Sequence, residues 1–93
     1  MEKMEDYRMR NLESYLSDPI LGNAFKEIIK FCASPRTKDE IEEYVKKDLG
    51  ITYEKHRVYA GYFIGALEGC GGIRWDREKR RWVATEAGKK AIS

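Results

Sequence analysis

Apolar residues recur at helical intervals along much of the chain. The strongest stripe falls within residues 19–33, where six apolar residues share one helical face: Leu21, Ala24, Phe25, Ile28, Ile29 and Cys32. Asp18 can cap this helix and Pro19 suits its first position, while Pro35 ends it because the residue before a proline avoids helical geometry. A weaker stripe over Met4–Leu16 predicts an additional N-terminal helix.

Two more helices are predicted in the middle of the chain. Thr37 and Glu40 form a capping box, in which each side chain satisfies a free backbone N–H group of the other residue. The helix that they open turns three apolar residues inward: Ile41, Val45 and Leu49. Gly50 is placed to end it. The next helix is predicted as one continuous segment over residues 54–70, with an inward stripe of Ala60, Phe63, Ile64 and Leu67.

A β-hairpin is predicted next, because the hydrophobic period changes from helical to two. The charged turn DREKRR separates the strand patterns IRW and WVA. Folding back over this turn places Trp75 opposite Trp82 and Asp76 opposite Arg81, an aromatic pair and an ion pair across the hairpin. A last short helix over residues 86–92, capped by Thr85, completes the predicted elements.

The length of 93 residues allows one domain with a single core. We expect residues 1–17 to form a helical extension that packs on the domain or pairs with a second subunit, and residues 18–93 to form the domain. Pairing is the favoured alternative, so a homodimer is expected. Apolar runs stay short of the ~18 residues that a membrane span needs, and MEKMEDYRMR lacks the apolar region of a signal peptide. A cytoplasmic protein without membrane contact is therefore expected.

Positive charge is concentrated in the C-terminal half. The whole chain has a net charge of +2, whereas residues 51–93 carry nine Lys/Arg against five Asp/Glu, and five of these cations fall within residues 74–81. A surface that binds a polyanion needs cations gathered in this way. The alternative interpretation is a solvated surface of mixed charge, which a chain with 37% charged residues can also show.

Residues for catalysis or metal binding are not gathered anywhere in the sequence. His56 is the only histidine, and Cys32 and Cys70 form no CxxC pair, so we expect buried thiols and no zinc site. The GCGG segment ends a helix instead of opening one, unlike the glycine loops that cradle phosphates. We therefore expect a protein that is not an enzyme, with no catalytic residue, metal or cofactor. No small-molecule site is evident, and an aromatic ligand pocket at the two tryptophans is the less favoured alternative to hairpin packing.

Three segments carry a resemblance to a known family. PRTKDEI starts at Pro35, LEGCGGI at Leu67 and WVATEAGKKAI at Trp82. In this order they resemble the helix-turn-helix entry, the L-E-x-x-G-x-I end of the recognition helix and the Y/W-x-L-T-x-x-G return from the wing in winged helix-turn-helix regulators related to MarR and PadR. The resemblance covers about residues 20–92. It implies an α+β, mostly α fold: a three-helix core plus a two-stranded β-hairpin wing, with an extra N-terminal helix and a short C-terminal helix.

The resemblance also implies a transcriptional regulator that binds double-stranded DNA. Five residues would lie on the helix that enters the major groove: Lys55, His56, Arg57, Tyr59 and Tyr62. Five others would lie on or near the wing that follows the phosphate backbone: Arg74, Arg77, Lys79, Arg80 and Arg81. Cations on a hairpin turn can contact adjacent phosphates, where the release of condensed counterions supplies much of the affinity.

Two features depart from the family pattern. The exposed face of the predicted recognition helix lacks the polar side chains that read base edges and carries Val58, Gly61, Tyr62, Gly65 and Gly69 instead. Its three glycines at four-residue spacing suggest close packing against a DNA backbone, the N-terminal helix or a second subunit. An acidic cluster that would repel DNA opens the preceding helix: Asp39, Glu40, Glu42 and Glu43. The alternative function is a winged-helix protein–protein interaction module without sequence-specific DNA binding.

Overall fold

The computed structural model describes residues 11–93. Over this range the elements are α1 (Leu12–Leu16), α2 (Gly22–Phe31), α3 (Lys38–Glu43, continued by a π-helical turn at Tyr44–Asp48), α4 (Tyr53–His56), α5 (Ala60–Gly69), β1 (Ile73–Asp76), β2 (Arg81–Ala84) and α6 (Glu86–Ile92). The two strands form an antiparallel sheet. The fold is thus α+β and mostly helical, an arrangement compatible with a winged helix.

The N-terminal segment is described only in part. Of the helix predicted over Met4–Leu16, residues before Asn11 lie outside the described range, and so does most of the proposed dimerisation segment 1–17. The part within the range, α1, contacts α2 and α6. None of the helices between residues 11 and 93 combines the length and hydropathy that a bilayer crossing requires.

The predicted caps at Thr37 and Thr85 are confirmed, whereas the cap at Asp18 is not. Helix α2 begins at Gly22, its N-cap residue Leu21 makes no side-chain hydrogen bond, and Pro19 lies in the preceding turn. The Asp18 carboxylate accepts hydrogen bonds from the backbone N–H groups of Ile20 and Leu21, both at 2.8 Å, and so shapes the turn that leads into α2. At the start of α3, the Glu40 N–H donates to Thr37 Oγ1 at 3.1 Å and the Thr37 N–H donates to Glu40 Oε1 at 2.8 Å. This reciprocal pair is the predicted capping box.

The hydrophobic core is centred on α2. Phe25, Ile28, Ile29 and Cys32 are fully buried on one face of this helix, as the stripe predicts. The Phe25 ring lies 5.1 Å from that of Phe63 on α5 and 4.9 Å from that of Tyr15 on α1, measured between centroids. Five further fully buried residues come from the other elements: Ile41, Val45, Phe63, Leu67 and Ile73. One core therefore fixes α3, α5 and the start of β1 against α2.

A close backbone contact attaches α6 to the beginning of the hairpin. Thr85 Oγ1 accepts the hydrogen bond of the Gly88 N–H at 2.9 Å and donates to the Gly71 carbonyl at 2.6 Å. The Thr85 N–H donates to the Gly72 carbonyl at 3.1 Å. A Cβ atom at Gly88 would overlap the carbonyl group of Gly72. The Thr85–Gly88 pair thus has a packing role in addition to capping the helix.

The prediction of one continuous helix over residues 54–70 is wrong. The segment is divided into α4 and α5, which are separated by Arg57, Val58 and Tyr59. Arg57 adopts left-handed backbone angles, with φ 60°, and Tyr59 is extended, with φ −87° and ψ 151°. The break lets Val58 pack against the core while the Tyr59 ring stacks on that of Tyr53. These tertiary contacts outweigh the helical periodicity of the sequence.

Candidate nucleic-acid interface

The base of the hairpin is fixed to the body of the protein. Its register pairs Trp75 with Trp82 and Asp76 with Arg81, as predicted, and the two indole rings meet edge to face at 5.2 Å. On the other side of β2, Arg36 and Trp82 exchange backbone hydrogen bonds of 2.9 and 2.7 Å. This bridge holds β2 between β1 and the segment that precedes α3, and the turn of the hairpin is left exposed to solvent.

The turn is ordered by the Asp76 carboxylate. Its Oδ1 atom accepts hydrogen bonds from the backbone N–H groups of Glu78 and Lys79, both at 3.0 Å, and the Arg80 N–H donates to the Asp76 carbonyl at 2.7 Å. Arg80 closes the turn in the left-handed region, with φ 54°. The predicted Asp76–Arg81 ion pair is not formed: Asp76 Oδ2 lies 3.8 Å from both Arg74 Nη2 and Lys79 Nζ. The Asp76 carboxylate points towards the backbone amides of the turn and therefore not towards Arg81.

This geometry makes the turn sensitive to acid. The hydrogen bond from the Lys79 backbone, with the charges of Lys79 and Arg74, holds the pKa of Asp76 below its usual value of 3.8. A lowered pKa means that the carboxylate stabilises the folded state at all pH values above the unfolded pKa, and that this stabilisation is lost as pH falls through the folded pKa. We expect an NMR titration of the Asp76 carboxyl carbon to give a midpoint below 3.8, with the Glu78 and Lys79 amide shifts changing together with it. A midpoint at or above the usual value would contradict the capped turn.

The cations of the hairpin differ in how far they are neutralised. Arg74 and Lys79 share the Asp76 carboxylate. The Arg81 guanidinium donates to the carbonyls of Lys79 and Arg80 at 3.3 and 3.0 Å. Arg77 and Arg80 are exposed, and neither has a carboxylate within 4.0 Å among residues 11–93. At least two guanidinium groups at the turn are therefore available to bind an anion.

One cation of this surface was missed by the sequence analysis. A shallow groove beside the hairpin is lined by Arg74 and Lys79 together with Lys89 of α6, and also by the carboxylates of Asp76 and Glu86. Lys89 lies 4.0 Å from Glu86, and both side chains are more than half exposed. Nothing in the local sequence marks Lys89, because its proximity to the hairpin follows from the Gly88–Gly72 backbone contact. The basic surface thus extends from the turn onto α6.

The residues assigned to the recognition helix are not brought together on one helix. Lys55 and His56 belong to α4, Arg57 and Tyr59 to the connection, and Tyr62 to the first turn of α5. Lys55, Arg57 and Tyr59 are exposed, so they remain available to a partner. His56 is half-buried, and its Nδ1 atom is buried without a hydrogen-bond partner in the described part of the chain. This orientation makes His56 the weakest of the five candidates.

The solvent-facing side of α5 carries almost no charge. Its only ionisable side chains are those of Tyr62 and Glu68, and Tyr62 is 41% exposed. A Cβ atom at Gly65 or Gly69 would meet nothing within 4 Å, so neither glycine is required by packing within residues 11–93. At Gly61 a Cβ atom would lie 3.4 Å from the Glu42 carboxylate of α3. The first turn of α5 therefore has a carboxylate, not a cation, beside it.

The acidic cluster on α3 is largely occupied by partners on the same helix. Glu43 pairs with Lys47 at 3.0 Å and Glu42 with Lys38 at 3.9 Å. Hydrogen bonding to the Thr37 backbone N–H lowers the pKa of Glu40, with smaller contributions from the nearby Arg36 and Arg81 charges. Water and salt screen charges at the surface, so the repulsion of phosphates by this cluster acts mainly near α3. Phosphate binding at the hairpin turn should be affected less.

The two cysteines are free thiols. Burial raises the pKa of the Cys32 thiol to about 12, and burial also raises the pKa of the half-buried Cys70 thiol. Both thiols are therefore protonated at neutral pH and are poor nucleophiles and metal ligands. Among residues 11–93, no group of three or more His, Cys, Asp or Glu side chains is placed to hold a metal ion.

Comparisons of the chain with protein-family models, with curated proteins and with solved structures find no match.

Proposed function

We propose that this protein is a winged-helix protein that binds double-stranded DNA, with transcriptional regulation as its role and the β1–β2 hairpin as its wing. The observation that carries the proposal is the ordered, solvent-facing turn, on which Arg77 and Arg80 have no carboxylate partner within residues 11–93. Lys79 and Lys89 extend the same positive surface. A rigid cationic turn loses little entropy when it binds, and each phosphate that it neutralises releases condensed counterions.

Helices α4 and α5 are better suited to contact the sugar-phosphate backbone of DNA than to read the edges of its bases. α5 presents no Lys, Arg, Asn or Gln side chain with which to read bases in the major groove. Its exposed positions at Gly65 and Gly69 leave room for a close approach of a phosphate backbone. Lys55 and Arg57, displaced onto α4 and the connection, are suited to phosphates flanking the groove. We therefore propose binding with weak sequence preference.

The test is the salt dependence of binding to a duplex after neutralisation of the turn. The variant combines Arg77→Gln, Lys79→Gln and Arg80→Asn, since asparagine tolerates the left-handed backbone at residue 80. With a loss of about 0.9 in slope for each phosphate contact, the slope of log K against log salt should fall by roughly 2.7, and affinity near 0.1 M salt by on the order of 100-fold. Fluorescence anisotropy of a labelled duplex measures both quantities.

A matched control removes the same charge elsewhere. Lys30→Gln, Lys46→Gln and Lys47→Gln change three exposed lysines on α2 and at the end of α3. The control should retain most of the salt slope. Equal losses in the two triple variants would mean that net charge, not the hairpin, drives binding. Absence of duplex binding by the intact chain at low salt would overturn the proposal.

A protein–protein interaction module is the second candidate. It is favoured by the nearly uncharged face of α5, where Tyr62 is 41% exposed and where a Cβ atom at Gly65 or Gly69 would meet nothing within 4 Å among residues 11–93. Protein interfaces favour such aromatic side chains over charged ones. The homodimer stays a prediction, because most of the segment 1–17 to which it was assigned lies outside the described residues.

A further inference from the structure

An exposed pair of stacked tyrosines lies at the break between α4 and α5. The Tyr53 and Tyr59 rings are 4.4 Å apart at their centroids and inclined by only 12°. Tyr53 is 42% exposed and Tyr59 is 67% exposed. Neither ring packs against the hydrophobic core, which draws its aromatic members from elsewhere in the fold. The pair therefore adds little to the buried apolar area that stabilises the protein.

The stack exists only because the helix is interrupted. In a continuous helix, residues six positions apart are rotated by about 240° and separated by about 9 Å along the axis, so their rings could not face each other. The left-handed backbone of Arg57 removes this obstacle. For a residue other than glycine such a conformation costs roughly 1–2 kcal/mol. This strained conformation allows two contacts: the exposed Tyr53–Tyr59 stack and the packing of Val58 against the core.

Positive charge accompanies the stack. The Arg57 guanidinium lies 5.6 Å from the centre of the Tyr53 ring, within cation–π distance. Lys55 of α4 is also exposed. Glu54 is the one carboxylate within α4, so α4 and Arg57 together carry a net charge of +1 with His56 neutral. Tyr53 covers one face of the Tyr59 ring, and the large exposure of Tyr59 leaves its other face accessible. A flat aromatic surface beside a cation matches a nucleobase with its attached phosphate.

We infer that the Tyr53–Tyr59 stack is a binding site for an unpaired nucleobase, so that this protein recognises nucleic acid that contains a single-stranded segment. The inference rests on the proposed function, which assigns phosphate contacts to Lys55 and Arg57, and adds the recognition of an unpaired base. Stacking on an aromatic ring is tolerant of sequence because every base has a π-face. The bases of a fully paired duplex are stacked on one another and so are not available to the tyrosines, whereas an unpaired base is.

The test separates the base from its phosphate. The three probes are an oligothymidylate of ~12 nucleotides, an abasic strand of the same length, which has the same phosphates but no bases, and a blunt duplex. The variants are Tyr59→Leu, which keeps an apolar side chain without a π-face, and Tyr59→Phe, which keeps the ring. Tyr59 is mostly exposed, so both variants should fold, and their circular dichroism and thermal unfolding are checked first.

We expect the intact chain and Tyr59→Phe to bind oligothymidylate about tenfold more tightly than the abasic strand. In Tyr59→Leu this preference should be reduced to near unity, because the loss of affinity falls on oligothymidylate and not on the abasic strand, which has no base to stack. A preference that survives in Tyr59→Leu would overturn the inference, since the base would then stack elsewhere.

The outcomes also distinguish the inference from the proposed function. Duplex binding with the expected salt slope, but with no preference for oligothymidylate over the abasic strand, would contradict the stacking site and leave the DNA-binding proposal intact. Failure to bind any of the three probes at low salt would overturn both and would favour a protein partner for the tyrosines.

Discussion

Replacement of Gly88 by alanine is expected to destabilise the protein by about 3 kcal/mol or more. The added Cβ atom would overlap the carbonyl group of Gly72. That carbonyl is backbone and the position of a Cβ atom is fixed by its own backbone, so neither can move aside by a rotamer change. Relief of the clash must displace α6 and break the hydrogen bonds that Thr85 makes to Gly71 and Gly72. Domains of this size have marginal stability, so the loss should be visible as a large decrease in the urea midpoint.

The matched control is the same substitution at Gly65. This residue is exposed within α5, and a Cβ atom there would meet nothing within 4 Å in the described part of the chain. Alanine is a better helix former than glycine, so Gly65→Ala should stabilise the protein by about 0.5–1 kcal/mol. Equal effects of the two substitutions would show that the α6–hairpin contact is not closely packed. Opposite signs would identify Gly88 as a glycine required by packing.

Phe25→Ala is expected to cost about 3–5 kcal/mol, which approaches the total stability of a small domain. The side chain is fully buried and its ring contacts those of Tyr15, Phe63 and Tyr62, so the cavity would lie where α1, α2 and α5 meet. Chemical denaturation followed by tryptophan fluorescence measures the change, since both tryptophans lie on the hairpin strands and Trp82 packs against the same core.

Two further variants separate the cavity from a general loss of aromatic area. Phe25→Leu leaves a smaller cavity and should cost less than half as much. Tyr59→Leu removes a ring that does not pack against the core and should change stability by less than about 0.5 kcal/mol. If the Tyr59 variant were as damaging as Phe25→Ala, the centre of the core would have been placed wrongly.

Local sequence signals predicted the elements that depend on near neighbours. The capping box of Thr37 and Glu40 involves residues three positions apart, so its hydrogen bonds form wherever the helix starts. The hairpin register likewise follows from alternation on two short strands joined by a charged turn. Ile41 and Phe63 are buried where the helical period placed them.

The candidate site was predicted less completely than the fold. Arg77 and Arg80 are exposed at the turn, as their clustering in the sequence indicated. Asp76 was assigned to Arg81, but cross-strand register does not account for two turn amides that compete for the same carboxylate. The division of the helix over residues 54–70 was missed because the spacing of apolar residues does not reveal a single left-handed residue such as Arg57.

By itself, the sequence determined the helical stripes, the predicted threonine caps, the hairpin register and the concentration of positive charge near the C-terminus, because each depends on residues a few positions apart. Only the tertiary structure decided that Tyr59 stacks on Tyr53, that Lys89 joins the basic surface and that Gly88 must be glycine. The physical reason is that these features depend on contacts between segments or on one backbone torsion. Their free energies are set by the packing of the whole chain, which no local pattern encodes.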